Sequence, residues 1–230
     1  MRALEEGLAR RHRTRETQVT LGRQTVTLAH PANADELISE VEFSLDGRLP
    51  YWADIWPSAR VLAEHVATLD GRGQRLLELG CGAGLVATAA ALAGFDVTAT
   101  DYYVDACAFA RLNAFHATGA VIGTRLLDWR HLPDDLGTWD LVVASDVLYE
   151  TPYAALVSAV LARTMAAGGC AVLADPGRLA LESFLAACRA LGLEPGEPTR
   201  VPYDFEGQRQ EIRLFTIRHR DTLTGARARA

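Results

Sequence analysis

Lysine is missing from this chain: all 23 basic residues among its 230 are arginines. That excludes self-modification on an internal lysine side chain, and otherwise it reads as biased codon usage. Cysteine is scarce too. Cys81, Cys107, Cys170 and Cys188 form no C-x-x-C pair and the six histidines form no H-x-x-x-H pattern, so no metal centre and no disulfide framework is expected. No apolar run is long and charge-free enough to span a membrane. The N-terminus, with Arg10, Arg11, Arg13 and Arg15, lacks the apolar segment of a secretory signal, which points to a cytoplasmic protein. Internal repeats and domain linkers are absent as well; the length suits one large domain, or one domain with an extension.

The formal charge of −6 is unevenly spread. Residues 1–15 hold five arginines against two glutamates, and residues 218–230 hold four arginines against one aspartate. The body between them has 14 arginines against 26 acidic residues. Such a body repels phosphates, so nucleic acid is not an expected partner, whereas a basic partner is. The same imbalance equally suits ordinary solubility charge between arginine-rich, disordered ends.

The informative stretch is Leu76-Leu77-Glu78-Leu79-Gly80-Cys81-Gly82-Ala83-Gly84, with the small-residue run Leu85 to Ala93 directly after it. Strand, glycine loop and helix in that order make a nucleotide-binding α/β crossover. About 20 residues on, Asp101 closes the run Asp96-Val97-Thr98-Ala99-Thr100, where a carboxylate can accept from both ribose hydroxyls of an adenosine. The spacing is G-x-G-x-G, not the G-x-G-x-x-G of dinucleotide sites. Glu78 precedes the loop and would repel a pyrophosphate, but it suits a cationic amino group. Adenosine at one end and an ammonium at the other describe S-adenosylmethionine. Cys81, within the loop, reads as a small residue tolerated beside the ligand.

Further along, the α/β alternation continues. Residues 18–29 alternate around Gly22 as short strands, and residues 1–16 read as disordered or a loose helix. Asp46-Gly47 marks a turn. Three aromatics crowd Pro50-Tyr51-Trp52-Ala53-Asp54-Ile55-Trp56-Pro57-Ser58, and Ala59, Leu62, Val66 and Leu69 then mark a helix face. Val121 to Trp129, Trp139 to Ala144 and Gly169 to Ala174 read as strands; the second is apolar on both faces and so central. Helices are expected from Val104, from Pro152 to Met165 and over Leu179 to Leu191. Two extended runs around Gly207 close the chain as an antiparallel hairpin. The expected divisions are an extension over residues 1–49, a domain over 50–218 and a disordered tail over 219–230.

Four elements together resemble the class I, seven-β-strand methyltransferases, and more narrowly methyltransferase family 16, with its many protein-lysine methyltransferases. They are Tyr51 to Ser58, the Glu78–Gly84 loop, Asp128-Trp129, and Asp146-Val147-Leu148-Tyr149 after the fourth strand. The resemblance implies a Rossmann-like, doubly wound, mostly parallel seven-stranded sheet ordered 3-2-1-4-5-7-6. It implies S-adenosylmethionine as cofactor, with Trp56, Glu78, Gly80, Cys81, Gly82, Asp101, Tyr102, Asp128, Trp129 and Ser145 around it. Asp128 would accept from the adenine amine and the Trp129 N–H would donate to a ring nitrogen. Asp146 and Tyr149 would stand at the acceptor mouth, and Asp175-Pro176 on the same rim reads equally as a substrate contact or a turn. The acceptor implied is a protein lysine. A small-molecule N- or O-methyltransferase, or a silent cofactor-binding scaffold, stays open at this point.

Overall fold

A computed structural model of the chain describes residues 1–38 and 49–220. The turn expected at Asp46-Gly47 lies outside the described residues, as do residues 221–230 of the tail expected over 219–230, of which His219 ends the last strand. From the N-terminus come helix α1 (Arg2–Arg11) and the hairpin β1 (Thr14–Leu21) and β2 (Gln24–Pro31). A short turn at Tyr51–Ala53 leads into α2 (Pro57–Val66). Next are β3 (Arg75–Leu79), α3 (Leu85–Leu92), β4 (Asp96–Asp101), α4 (Val104–Thr118), β5 (Gly123–Leu126) and β6 (Trp139–Ser145). The chain ends through α5 (Tyr153–Thr164), β7 (Met165–Asp175), α6 (Leu181–Ala190), β8 (Leu193–Pro195), β9 (Thr199–Phe205) and β10 (Gln208–His219).

The main sheet runs β5-β4-β3-β6-β7-β10-β8, with β9 also beside β10. Strands β5, β4, β3, β6 and β7 are mutually parallel, and β10 is antiparallel to β7, β8 and β9. This is the Rossmann-like α/β fold and strand order expected. One detail differs: the sixth strand is split into β8 and β9, so eight strands are present. The register against β10 changes by one residue between Pro195 and Thr199, where Pro198 has no N–H to continue the ladder.

Burial explains the layering. β6 is apolar on both faces because parallel strands lie on either side and helices cover both surfaces. One apolar layer joins α2, α3, α4 and the N-terminal hairpin; the other joins α5 and α6. α1, read from sequence as loose, is packed: Met1, Leu4 and Leu8 recur at helical spacing and meet Phe109 and Leu112 on α4. Arg11 and His12 then pair with Asp105 at 2.6 Å each.

Two buried side chains fasten the N-terminal hairpin to the rest of the domain. Asn113 donates to the Ala29 and Ala83 carbonyls, both at 2.8 Å, and accepts from the Ala29 N–H at 2.9 Å. His30 joins Thr17 Oγ1 at 2.8 Å to the Ala53 carbonyl at 3.1 Å. The hairpin thereby braces both the glycine loop and the Tyr51–Ala53 turn. Among the described residues no helix is long and apolar enough to cross a membrane.

Candidate active site

Strands run outward from β3 in both directions, to β4 and β5 on one side and to β6 and β7 on the other. Ligands bind at the carboxyl ends of strands at such a switch point. There β3 ends in Leu79 and the chain turns through Gly80, Gly82 and Gly84, at φ 68, 50 and 83°. Gly82 also permits a close approach, since a Cβ on it would lie 3.0 Å from the Trp52 carbonyl oxygen. The Cys81 N–H donates to the Thr100 carbonyl at 2.9 Å. Asp101 holds the loop with Oδ2 accepting from the Gly82 N–H at 2.9 Å, while Oδ1 accepts from the Tyr103 N–H at 3.0 Å. Burial raises the Asp101 carboxyl above its ordinary range, against the pull of those backbone donors.

Glu78, the acidic residue of β3, is buried. It is 2 % exposed, and its Oε2 has no hydrogen-bond partner among the described residues. Burial, with the Asp101 carboxylate adding to it, holds the group well above the usual carboxylate range, while the Ala87 N–H in the first turn of α3 opposes the shift. A carboxylate therefore stands where a dinucleotide site would hold a pyrophosphate. A partner for that oxygen, whether a cation or a hydrogen-bonding group, would offset the cost of burying it.

These groups wall a cavity of about 300 Å³. All of the site residues expected from sequence line it: Trp56, Glu78, Gly80, Cys81, Gly82, Asp101, Tyr102, Asp128, Trp129, Ser145, Asp146 and Tyr149. Tyr51, Trp52, Tyr103 and Tyr153 line it as well, outside that expected set. Tyr153 had a signal, because it comes four residues after Tyr149; their rings lie 4.8 Å apart. Tyr51 completes the rim, 5.2 Å from Tyr149 and 5.9 Å from Trp56. The Trp56 indole N–H donates to the Tyr51 carbonyl at 2.8 Å. The Tyr149 phenol is raised, chiefly by burial and then by Tyr153, so it stays protonated at neutral pH.

Three side chains have partners that the sequence did not disclose. Asp128 is gripped by Arg130 through bonds of 2.8 and 2.9 Å and meets His131 at 3.2 Å, which holds its carboxyl well below the ordinary range. Asp146 has left-handed backbone, φ 56°, a strained conformation for a residue with a Cβ. Its Oδ2 accepts from the Ser58 N–H at 3.3 Å, in the first turn of α2, and its Oδ1 pairs with Arg178 at 2.8 Å. Asp175 is fully buried, does not line the cavity, and accepts from the Gly177 and Arg178 N–H groups at 2.7 Å each. Its geometry is that of a turn. The Cys81 thiol is pushed well up by its hydrogen bond with Cys107 and by burial, as befits an inert loop residue. Among the described residues no group of three His, Cys, Asp or Glu could hold a metal ion.

Electron transfer flavoprotein beta subunit lysine methyltransferase of Xenopus laevis is 34 % identical over 143 residues, covering 58 % of this chain and 55 % of that protein. EEF1A lysine methyltransferase 3 of Mus musculus is 34 % identical over 114 residues, covering 46 % of this chain and 47 % of its own length. The chain thus spans about half the length of the relatives it matches. In fold it is similar to magnesium protoporphyrin IX methyltransferase from Synechocystis, solved with S-adenosylmethionine bound. That match has a TM-score of 0.58 at 20 % identity and covers 80 % of this chain and 94 % of that one. The model of the lysine methyltransferase family matches residues 46–184, more than half of the chain, and the chain belongs to that family.

Proposed function

We propose that the chain is an S-adenosylmethionine-dependent methyltransferase that methylates the side-chain amine of a lysine in another protein. The observation that carries the cofactor is Glu78, a buried carboxyl on the cavity wall whose Oε2 has no hydrogen-bond partner among the described residues. Its want of a partner fits the amino group of S-adenosylmethionine, and Asp101 nearby fits the ribose hydroxyls. Asp128 and Trp129 would flank the adenine, with Trp56, Tyr102 and Ser145 along the same wall. Family membership and relatives named as protein-lysine methyltransferases support the acceptor.

Bound there, the cofactor supplies an electrophilic methyl on a sulfonium, so the protein chiefly has to bring two reactants into line. A lysine amine of pKa ~10.4 must shed its proton first, at a cost of about 4–5 kcal/mol at pH 7. The rim of Tyr51, Trp56, Tyr149 and Tyr153 desolvates an amine that enters between the rings, which lowers its pKa. Asp146 favours the ammonium and so serves to dock the amine before it loses its proton. The phenol of Tyr149, being protonated, forms wall and hydrogen-bond donor and does not act as base.

This division of labour is testable by separating binding from turnover. Asp146→Ala and Tyr149→Ala should each lower methyl transfer by about tenfold or more, with S-adenosylhomocysteine affinity kept within a few-fold. Calorimetry and initial rates on the same preparations check it. Parallel loss of affinity and rate would make the residue cofactor-facing or structural.

A further inference from the structure

Arg178 lies on the loop between β7 and α6 and belongs to none of the motifs above. Its guanidinium reaches Asp146 Oδ1 with Nε at 3.0 Å and Nη2 at 2.8 Å. Its Cζ lies 5.6 Å from the centre of the Trp56 ring, within cation–π range. The same carboxylate and the same indole would receive the acceptor's ammonium. Arg178 does not line the cavity; it reaches Asp146 from the outer rim, where its side chain is 29 % exposed. The next residue, Leu179, is 91 % exposed. The loop is fastened locally by the two N–H donors that meet Asp175 Oδ1, so the backbone can stay in place while the side chain leaves.

We propose that Arg178 is a positioning residue, an internal cation that holds Asp146 until the acceptor's ammonium takes its place. This rests on the lysine reading above and deepens it. The exchange moves no net charge: one cation leaves Asp146 and another arrives, while the Ser58 N–H keeps Oδ2 throughout. An acceptor that brings a hydroxyl or a carboxylate brings no replacement cation. To free Asp146 it would leave a buried carboxylate unpaired, which is strongly unfavourable. Asp146 thereby supplies the preference for a basic amine over neutral and acidic acceptors, and Arg178, as an internal competitor for the same carboxylate, sets how tightly that amine docks.

The test uses n-butylammonium, the lysine side chain without its backbone, titrated in the presence of S-adenosylhomocysteine at constant ionic strength. The Trp56 indole N–H resonance reports binding, and n-butanol is the neutral control. Removing the internal competitor by Arg178→Ala should tighten n-butylammonium binding by about tenfold or more, with n-butanol unchanged. Adding Asp146→Asn to that variant should cancel the gain. Arg178→Gln should behave like Arg178→Ala, and a retained cooperative melting transition with wild-type S-adenosylhomocysteine binding certifies either variant as folded, even where the unpaired carboxylate lowers Tm. Equal binding by wild type and both variants, or a gain that survives Asp146→Asn, overturns the proposal. The two readings fail separately: the predicted pattern without any methyl transfer to lysine keeps the cation exchange and removes the lysine acceptor. Transfer to lysine with no gain on removing Arg178 does the reverse.

Discussion

Asp101→Ala is expected to weaken S-adenosylhomocysteine binding by more than about tenfold, because the charge-assisted hydrogen bonds proposed for it with the ribose would be lost, at roughly 1.5–3 kcal/mol each. A second effect adds to the first. Asp101 also holds the glycine loop through the Gly82 and Tyr103 N–H groups, so its loss leaves two backbone donors without their acceptor. Asp101→Asn separates the contributions. An amide oxygen can keep one backbone bond but cannot accept from two hydroxyls with the strength of a carboxylate. It should therefore bind less well than wild type and better than Asp101→Ala. Calorimetry showing either variant at wild-type affinity would place the ribose elsewhere.

Gly84→Ala should damage the fold itself. A Cβ there would collide with Ala110 Cα and lie 2.5 Å from Ala110 Cβ, and the backbone is left-handed at φ 83°. Ala110 is fully buried on α4, against which α3 packs, so neither helix can yield cheaply. Left-handed backbone costs about 1–2 kcal/mol and overpacking about 1–3 kcal/mol, together roughly 3 kcal/mol. In a chain of this size that lowers Tm by about 6–12 °C. Gly119→Ala is the control, with φ +74° but nothing within 4 Å of the added Cβ, and it should cost only the backbone share. Equal melting of the two variants would mean that the α3–α4 contact is not tight.

The parts of the site that the sequence disclosed are those made locally. An apolar run ending at Glu78, three glycines in five residues and an acid some 20 residues later are all short-range patterns. The backbone then has little choice about where they meet, since parallel strands present their ends at one edge. Strand order beyond that came with the family resemblance, because no periodicity distinguishes β10 inserted beside β7 from a strand added at the edge. The hidden parts depend on distance along the chain. Ser58 and Asp146 are 88 residues apart, and Asp146 and Arg178 are 32 apart. The left-handed backbone of Asp146 is likewise invisible, and its partners, the Ala174 carbonyl, Ser58 and Arg178, are all distant along the chain. The packing of α1 is obscured because five of its ten residues are charged and only Leu4 and Leu8, with Met1 before them, mark the side that packs on α4.

The chemistry proposed for this cavity has one direct test. The protein is incubated with methyl-tritiated S-adenosylmethionine and a protein extract, and label is followed first by size and then by acid hydrolysis. The account predicts tritium in protein, recovered on hydrolysis as methylated lysine and reduced in Asp146→Ala. Label confined to low-molecular-weight products, or found in protein on side chains other than lysine, would contradict it.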